Sequence, residues 1–293
     1  MMLEYAKSPD GTRIAYRDLK GNGTPILFLH EFAGDINSWN AQADALSPRY
    51  RALTYAARGY PPSEVPDDAA YSQQHAVEDA LAVLDAAGIA SAHLIGISMG
   101  GYTAAQLTAH HPERVRSATL VGCGWGSEPD THSRFVAESQ ALAARLRVDG
   151  WRRLADQYAH GPARIQLKRK NPLAWRQFCD DLATHDSRGS AATMEGVQAR
   201  RPTLPDLVEP LRAAARPILI VTGDEDSGCL DPNAHLKRAL PDAGWCVLPQ
   251  TGHTLNLEEP VLLSIVLERF LSQVDSGTWG HRDTDGDFSS TGI

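Results

Sequence analysis

Apolar and polar residues along the first half of this chain fall into short blocks whose period changes in a regular way. Ile26-Leu27-Phe28-Leu29, Arg51-Ala52-Leu53-Thr54-Tyr55, Ala92-His93-Leu94-Ile95 and Arg116-Ser117-Ala118-Thr119-Leu120-Val121 are short, largely apolar runs bounded by turn residues. Such runs read as strands buried on both faces. Between them the period changes to that of a helix: Val77, Leu81 and Leu84 recur at helical spacing between Ser72 and Ala87, with Gly88 as the stop. Another helix opens at Ser38-Trp39 and stops near Pro48. Ser8-Pro9-Asp10-Gly11 and Gly21-Asn22-Gly23-Thr24-Pro25 are turn signals, so the opening reads as an antiparallel hairpin. Alternating strands and helices imply an α/β fold, a mostly parallel eight-stranded sheet with helices on both faces.

The alternation breaks after Gly122. From about Gly124 to Arg212 the chain is helix-rich, with stretches such as Phe135 to Val148 and Trp151 to Ala159. It resumes with a strand at Pro217 to Val221, a helix near Asn233 to Leu240, a strand at Gly244 to Leu248 and a helix from Glu258 to about Ser272. The expected division is a core of residues 1–123 and 213–273, a helical cap inserted at 124–212, and a flexible C-terminal tail at 274–293. The tail segment Asp283-Thr284-Asp285-Gly286-Asp287 hints at a calcium loop, but its glycine is misplaced and the closing glutamate is missing. It reads as a loose polar tail.

Composition narrows the partners. Of 293 residues, 42% are hydrophobic and 22% charged, ordinary for a chain that buries a sizeable core. A net charge of -8 argues against nucleic acid, which needs clustered cations. The one basic cluster, Lys168-Arg169-Lys170, reads as a solvated helix face. No apolar run is long enough to span a membrane. Met1 to Lys7 lacks the apolar stretch of a signal peptide. Cys123, Cys179, Cys229 and Cys246 form no C-x-x-C pair, and their spacings suit neither zinc nor a dense disulfide framework. A cytoplasmic protein with reduced thiols is expected. The partner is a small-molecule substrate, with no nucleic acid and no membrane; oligomeric state stays open.

The candidate chemistry sits at Gly96-Ile97-Ser98-Met99-Gly100. A G-x-S-x-G between strand and helix is a nucleophile elbow, with Ser98 on a strained turn. A serine hydroxyl needs a base, and a histidine base needs a carboxylate to orient it. In hydrolases with this elbow the chain order is serine, acid, histidine. Gly223-Asp224-Glu225-Asp226 follows one strand and Gln250-Thr251-Gly252-His253 follows the next, both at the sheet edge where ligands bind.

Over residues 1 to 273 the chain resembles the α/β-hydrolase fold family. Gly96 to Gly101 resembles its elbow, Gly223 to Asp226 its acid loop, and Gly252-His253 with Leu257-Glu258-Glu259-Pro260 its histidine loop and final helix start. The match implies Asp226 as the acid, with Asp224 the second candidate. An oxyanion hole needs two donors. The first is the backbone N–H of Met99, directly after the nucleophile. The second, by resemblance to the family's His-Gly-X motif, is the backbone N–H of Phe32. Glu31 departs from that motif, which has glycine there. Its side chain either brings a carboxylate to the pocket or turns to solvent or caps the next helix. His30-Glu31 does not begin a zinc H-E-x-x-H, because Gly34 stands where the second histidine belongs. The family's Asp-x-Arg-Gly-x-Gly-x-Ser appears as Ala56-Ala57-Arg58-Gly59-Tyr60-Pro61-Pro62-Ser63, keeping Arg-Gly but losing the acid and one glycine.

The expectation is therefore a serine hydrolase (Ser98, Asp226, His253) that cleaves a small carboxylic ester or lactone through an acyl-enzyme, without metal or organic cofactor. The alternatives are a carbon–carbon bond hydrolase on a vinylogous diketone, a cofactor-free perhydrolase, and a small-molecule binder on the same fold without turnover. Trp125, Trp151 and Trp175 are candidates for pocket or cap packing.

Overall fold

The computed structural model describes residues 2–280. The strands are β1 (Glu4–Lys7), β2 (Arg13–Asp18), β3 (Pro25–Leu29), β4 (Arg51–Tyr55), β5 (Ala92–Ile97), β6 (Val115–Val121), β7 (Ile218–Gly223) and β8 (Gly244–Leu248). They form one eight-stranded sheet in the order β1-β2-β4-β3-β5-β6-β7-β8. The β1/β2 and β2/β4 pairs are antiparallel and the other pairs parallel. The central strand β5 is buried at every position.

Helices α1 (Asn40–Leu46), α2 (Gln73–Ala86) and α3 (Met99–His110) connect the first strands. Between β6 and β7 lie α4 (Pro129–Val148), α5 (Trp151–Ala159), α6 (Ile165–Lys170), α7 (Pro172–Thr184), α8 (Ser187–Thr193) and α9 (Leu204–Ala214), with a π-helical turn at Met194–Gln198. The chain continues through α10 (Ser227–Ala239), α11 (Leu255–Glu258) and α12 (Pro260–Asp275).

Alternation along each strand builds two cores. Leu27 and Leu29 join Leu84, Leu107, Leu207 and Leu236, so α2, α3, α9 and α10 cover one face. Ile26 and Phe28 join Trp39, Leu263, Leu267 and Phe270, so α1 and α12 cover the other. A third cluster sits above the sheet, where Trp151, Leu154, Phe178 and Leu182 pack with Phe32 and Met99. The helices between β6 and β7 thus bury their apolar faces on the residues flanking the elbow. The last of them differs: Leu204, Leu207 and Leu211 of α9 pack into the sheet core.

Several boundaries differ from the sequence reading, for physical reasons. Helix α10 begins at Ser227 rather than near Asn233, because Pro232 lies inside the helix instead of marking its start. Helix α4 starts at Pro129, a proline in the first turn, where its missing N–H costs nothing. The expectation of a loose tail from residue 274 does not hold for its first residues. Asp275 ends α12 and meets His93 and Arg116 at 3.2 and 3.1 Å. The Trp279 ring stands edge-on to Phe270, with centroids 4.7 Å apart. The acidic run at 283–287 lies outside the described residues. Arg58 of the altered Arg-Gly segment is buried, binding Asp79 through Nε at 2.7 Å and Nη2 at 2.6 Å, and Asp10 through Nη1 at 2.8 Å. That segment ties the loop after β4 to α2. No described helix is long and apolar enough to cross a membrane.

Candidate active site

Ser98 stands between β5 and α3 with φ 51° and ψ -111°, a strained conformation for a residue with a side chain. Glycine flanks it for steric reasons. A Cβ on Gly96 would lie 2.2 Å from the Gly100 carbonyl oxygen, and one on Gly100 would lie 2.3 Å from that of Leu29. The Ser98 N–H continues the sheet by donating to Val121 O at 2.8 Å, and its carbonyl accepts from Tyr102 N at 3.0 Å. The elbow is thus clamped between sheet and helix. The α3 N-terminus begins at Met99, so its N–H groups and positive dipole end lie beside the hydroxyl.

Asp226 and His253 come together. His253 Nδ1 meets Asp226 Oδ2 at 2.8 Å, and both residues are buried. Asp226 sits at the N-cap of α10, immediately past β7, and its N–H donates to Gly223 O at 3.1 Å. Asp224 serves elsewhere: it is exposed, and its Oδ1 accepts from Thr251 N at 3.0 Å, bracing the histidine loop. Between the two acidic candidates, the geometry brings Asp226 to the imidazole. Ser98 and His253 line one cavity of about 390 Å³, with Glu31, Phe32 and Trp125 also in its wall. The Trp125 ring stands edge-on to His253 with centroids 6.3 Å apart. Trp151 and Trp175 instead pack among the helices, donating to Ser190 Oγ at 2.8 Å and Ala159 O at 2.9 Å.

Glu31 neither faces solvent nor caps a helix. It is buried, and its Oε2 accepts from Arg164 Nη2 at 2.5 Å. Arg164 lies over the rings of Tyr158 and Phe178, 5.5 Å from each centroid. The glutamate therefore brings its own counterion from the helical segment, which its position in the sequence did not disclose. Gly34 N closes a turn onto Glu31 O at 3.0 Å, with Phe32 inside that turn. His30 fixes the turn from behind. Its Nε2 accepts from Ala57 N at 2.9 Å, so Nδ1 carries the proton and donates to Glu31 O at 2.6 Å. Burial holds the His30 pKa below its ordinary value, favouring this neutral form.

Glu258 holds the histidine loop. Its Oε2 accepts from Gly252 N at 2.7 Å, and its Oε1 from Thr254 N at 3.1 Å and Thr254 Oγ1 at 2.8 Å. The sequence reading placed Glu258 only as a helix start; a carboxylate five residues past the histidine is the signal that could have marked it. His253 N also donates to Ala163 O at 3.3 Å. The segment 161–164 thus touches both loops of the site, one through Ala163 and the other through Arg164.

Asp226, Cys229 and His253 place ligand atoms within 4.8 Å of one another, the one such described group that could hold a metal. Its chemistry does not favour an ion. Burial pushes the Cys229 thiol well above its ordinary pKa, and Sγ donates to Gly122 O at 3.4 Å. Asp226 and His253 already use their facing atoms on each other, so an ion would have to break that hydrogen bond.

Residues 24–260 match the family model described as alpha/beta hydrolase fold. The chain belongs to the α/β hydrolase fold family. Within this α/β hydrolase, 263 residues are 29% identical to a 2-hydroxymuconate semialdehyde hydrolase of Pseudomonas putida, covering 88% of this chain and 90% of that one. A 3-oxoadipate enol-lactonase of Acinetobacter baylyi is 25% identical over 256 residues, 86% of this chain and 90% of that one. Among solved structures, the enol-lactonase from Burkholderia xenovorans LB400 superposes with a TM-score of 0.80 at 26% identity, covering 92% of this chain and 100% of that one.

Proposed function

We propose that this α/β hydrolase cleaves a small carboxylic ester or lactone through an acyl-enzyme on Ser98. The observation that carries the reading is the bonded Asp226–His253 pair opening, with the strained Ser98, onto one cavity. Ser98 Oγ attacks the carbonyl carbon while His253 Nε2 takes its proton. Asp226, bonded to Nδ1, holds the tautomer and stabilises the imidazolium. The N–H groups of Met99 and Phe32 receive the oxyanion, each donor contributing about 2.7–4 kcal/mol. His253 then protonates the leaving oxygen, and water, deprotonated by the same imidazole, releases the acid. In this reading no metal or organic cofactor takes part, and the helical insertion acts as the cap that closes the pocket. Four free cysteines support a reducing, cytoplasmic setting.

The similarity to a semialdehyde hydrolase supports a second reading, carbon–carbon cleavage of a vinylogous diketone by the same residues. A panel of short-chain esters, lactones and ring-cleavage diketones separates the two. Turnover of esters or lactones that falls on the order of a million-fold in Ser98→Ala is the expected result. Turnover of diketones alone establishes the second reading. Ester hydrolysis that survives Ser98→Ala contradicts both.

A further inference from the structure

Among the described residues, the buried arginines are paired with acids, with one exception. Arg58 meets Asp79 and Asp10, and Arg164 meets Glu31. Arg201 is also buried, at 5% exposure, yet no carboxylate among the described residues pairs with it. Its partners are neutral: Nη1 donates to Gln198 Oε1 at 2.7 Å, and Nη2 donates to the Trp125 carbonyl. The guanidinium carbon lies 3.9 Å from the Tyr102 ring centroid and 4.1 Å from that of Phe135. A buried guanidinium without an anion is costly, and such charges are ordinarily paired. Arg201 also lines the cavity that holds Ser98 and His253.

Its setting is that of a receptor built in advance. Two aromatic faces and two hydrogen bonds fix the fork, using two of five N–H donors. Both anchors lead directly to the site. Tyr102 is one helical turn past the nucleophile, with its N–H bonded to Ser98 O at 3.0 Å. Trp125, whose carbonyl Arg201 holds, faces the His253 ring. The other charges of the cavity do not supply the missing anion. Glu31 is taken by Arg164, and Glu138 pairs with Arg134 at 2.7 Å. Arg145, a further cation in the wall, is bonded to the neutral Gln157 Oε1 at 2.8 Å.

We propose that the substrate carries a carboxylate besides the bond that is cleaved, and that Arg201 pairs with it. The substrate class is then an ester or lactone of a dicarboxylic acid. This rests on the hydrolytic reading above, so the test includes a measurement independent of turnover. The first arm compares 4-nitrophenyl hemiglutarate with 4-nitrophenyl valerate, which lacks the charge. Wild type is expected to favour the hemiglutarate by at least about tenfold in kcat/KM, chiefly through KM, as a desolvated charge pair requires. Arg201→Gln should bring the ratio of the two substrates close to one, and Arg201→Lys should retain part of it. The second arm titrates glutarate into the Ser98→Ala variant by calorimetry, with and without Arg201→Gln. Binding that is lost with Arg201→Gln supports the proposal even if every ester proves inert, an outcome that would sink the hydrolytic reading alone. A wild type that turns over both esters without preferring the charged one overturns the proposal, whether or not the variants fold. So does glutarate binding that is unaffected by Arg201→Gln.

Discussion

Ser98 shows how much of the chemistry is legible at single residues. Its positive φ and the two glycines around it follow from the crowding of one turn, and the motif discloses both. The choice between Asp224 and Asp226 is finer. They lie two residues apart in one loop, yet one carboxylate turns inward to His253 Nδ1 and the other outward to Thr251 N. Asp226→Asn should therefore lower kcat on the order of ten-thousand-fold, since the amide favours the wrong tautomer. Asp224→Asn keeps an acceptor for Thr251 and should stay within about threefold of wild type, as surface changes do. Steady-state kinetics of the two variants on one ester checks this; equal losses would contradict the assignment. Arg201 and Arg164 were illegible for a different reason. A buried arginine in a helical insertion looks like any surface arginine until its neighbours are known.

At the scale of elements, strand positions were read with little error because a buried strand writes a short apolar run. Helices were blurred where proline entered them, as at Pro232. The segment 161–164 was not legible at all. Its carbonyl at Ala163 meets His253 N and its Arg164 meets Glu31, contacts between residues far apart in the chain. The pairing of Glu31 with Arg164 makes a prediction. Arg164→Met strands a buried carboxylate in the wall of the cavity that holds Ser98. It should cost about 3–5 kcal/mol of stability, the usual consequence of breaking a buried pair, and lower kcat as well. Adding Glu31→Gln removes the bare charge and should recover part of both losses. A double-mutant cycle read by urea unfolding and by kcat checks the coupling. A double variant as impaired as the two single losses combined would show that the residues act separately.

Across the whole molecule, histidines shielded from water set a pH dependence of folding: His30 and His93 are buried, His185 is half-buried, and all three are held below their ordinary value. Burial lowers His93 to about 4, against the raising effect of Asp275, and lowers His185 to about 4, against that of Asp35. Their unfolded value is 6.5. Between about 6.5 and about 4 the unfolded chain binds protons that the native state refuses, so stability falls as pH falls through that window. His93 and His185 each contribute up to about 3 kcal/mol to the loss. Urea midpoints measured from pH 7 to pH 5 should decline, and less steeply in His93→Asn. A flat profile would contradict this.

The central claim is that Ser98 is a nucleophile activated through His253. The most direct measurement is labelling of the folded protein with a fluorophosphonate, followed by mass mapping of the modified peptide. The account predicts one adduct, on the peptide containing Ser98, strongly slowed in His253→Ala. Folded wild type that stays unlabelled, or an adduct on another residue, would contradict it.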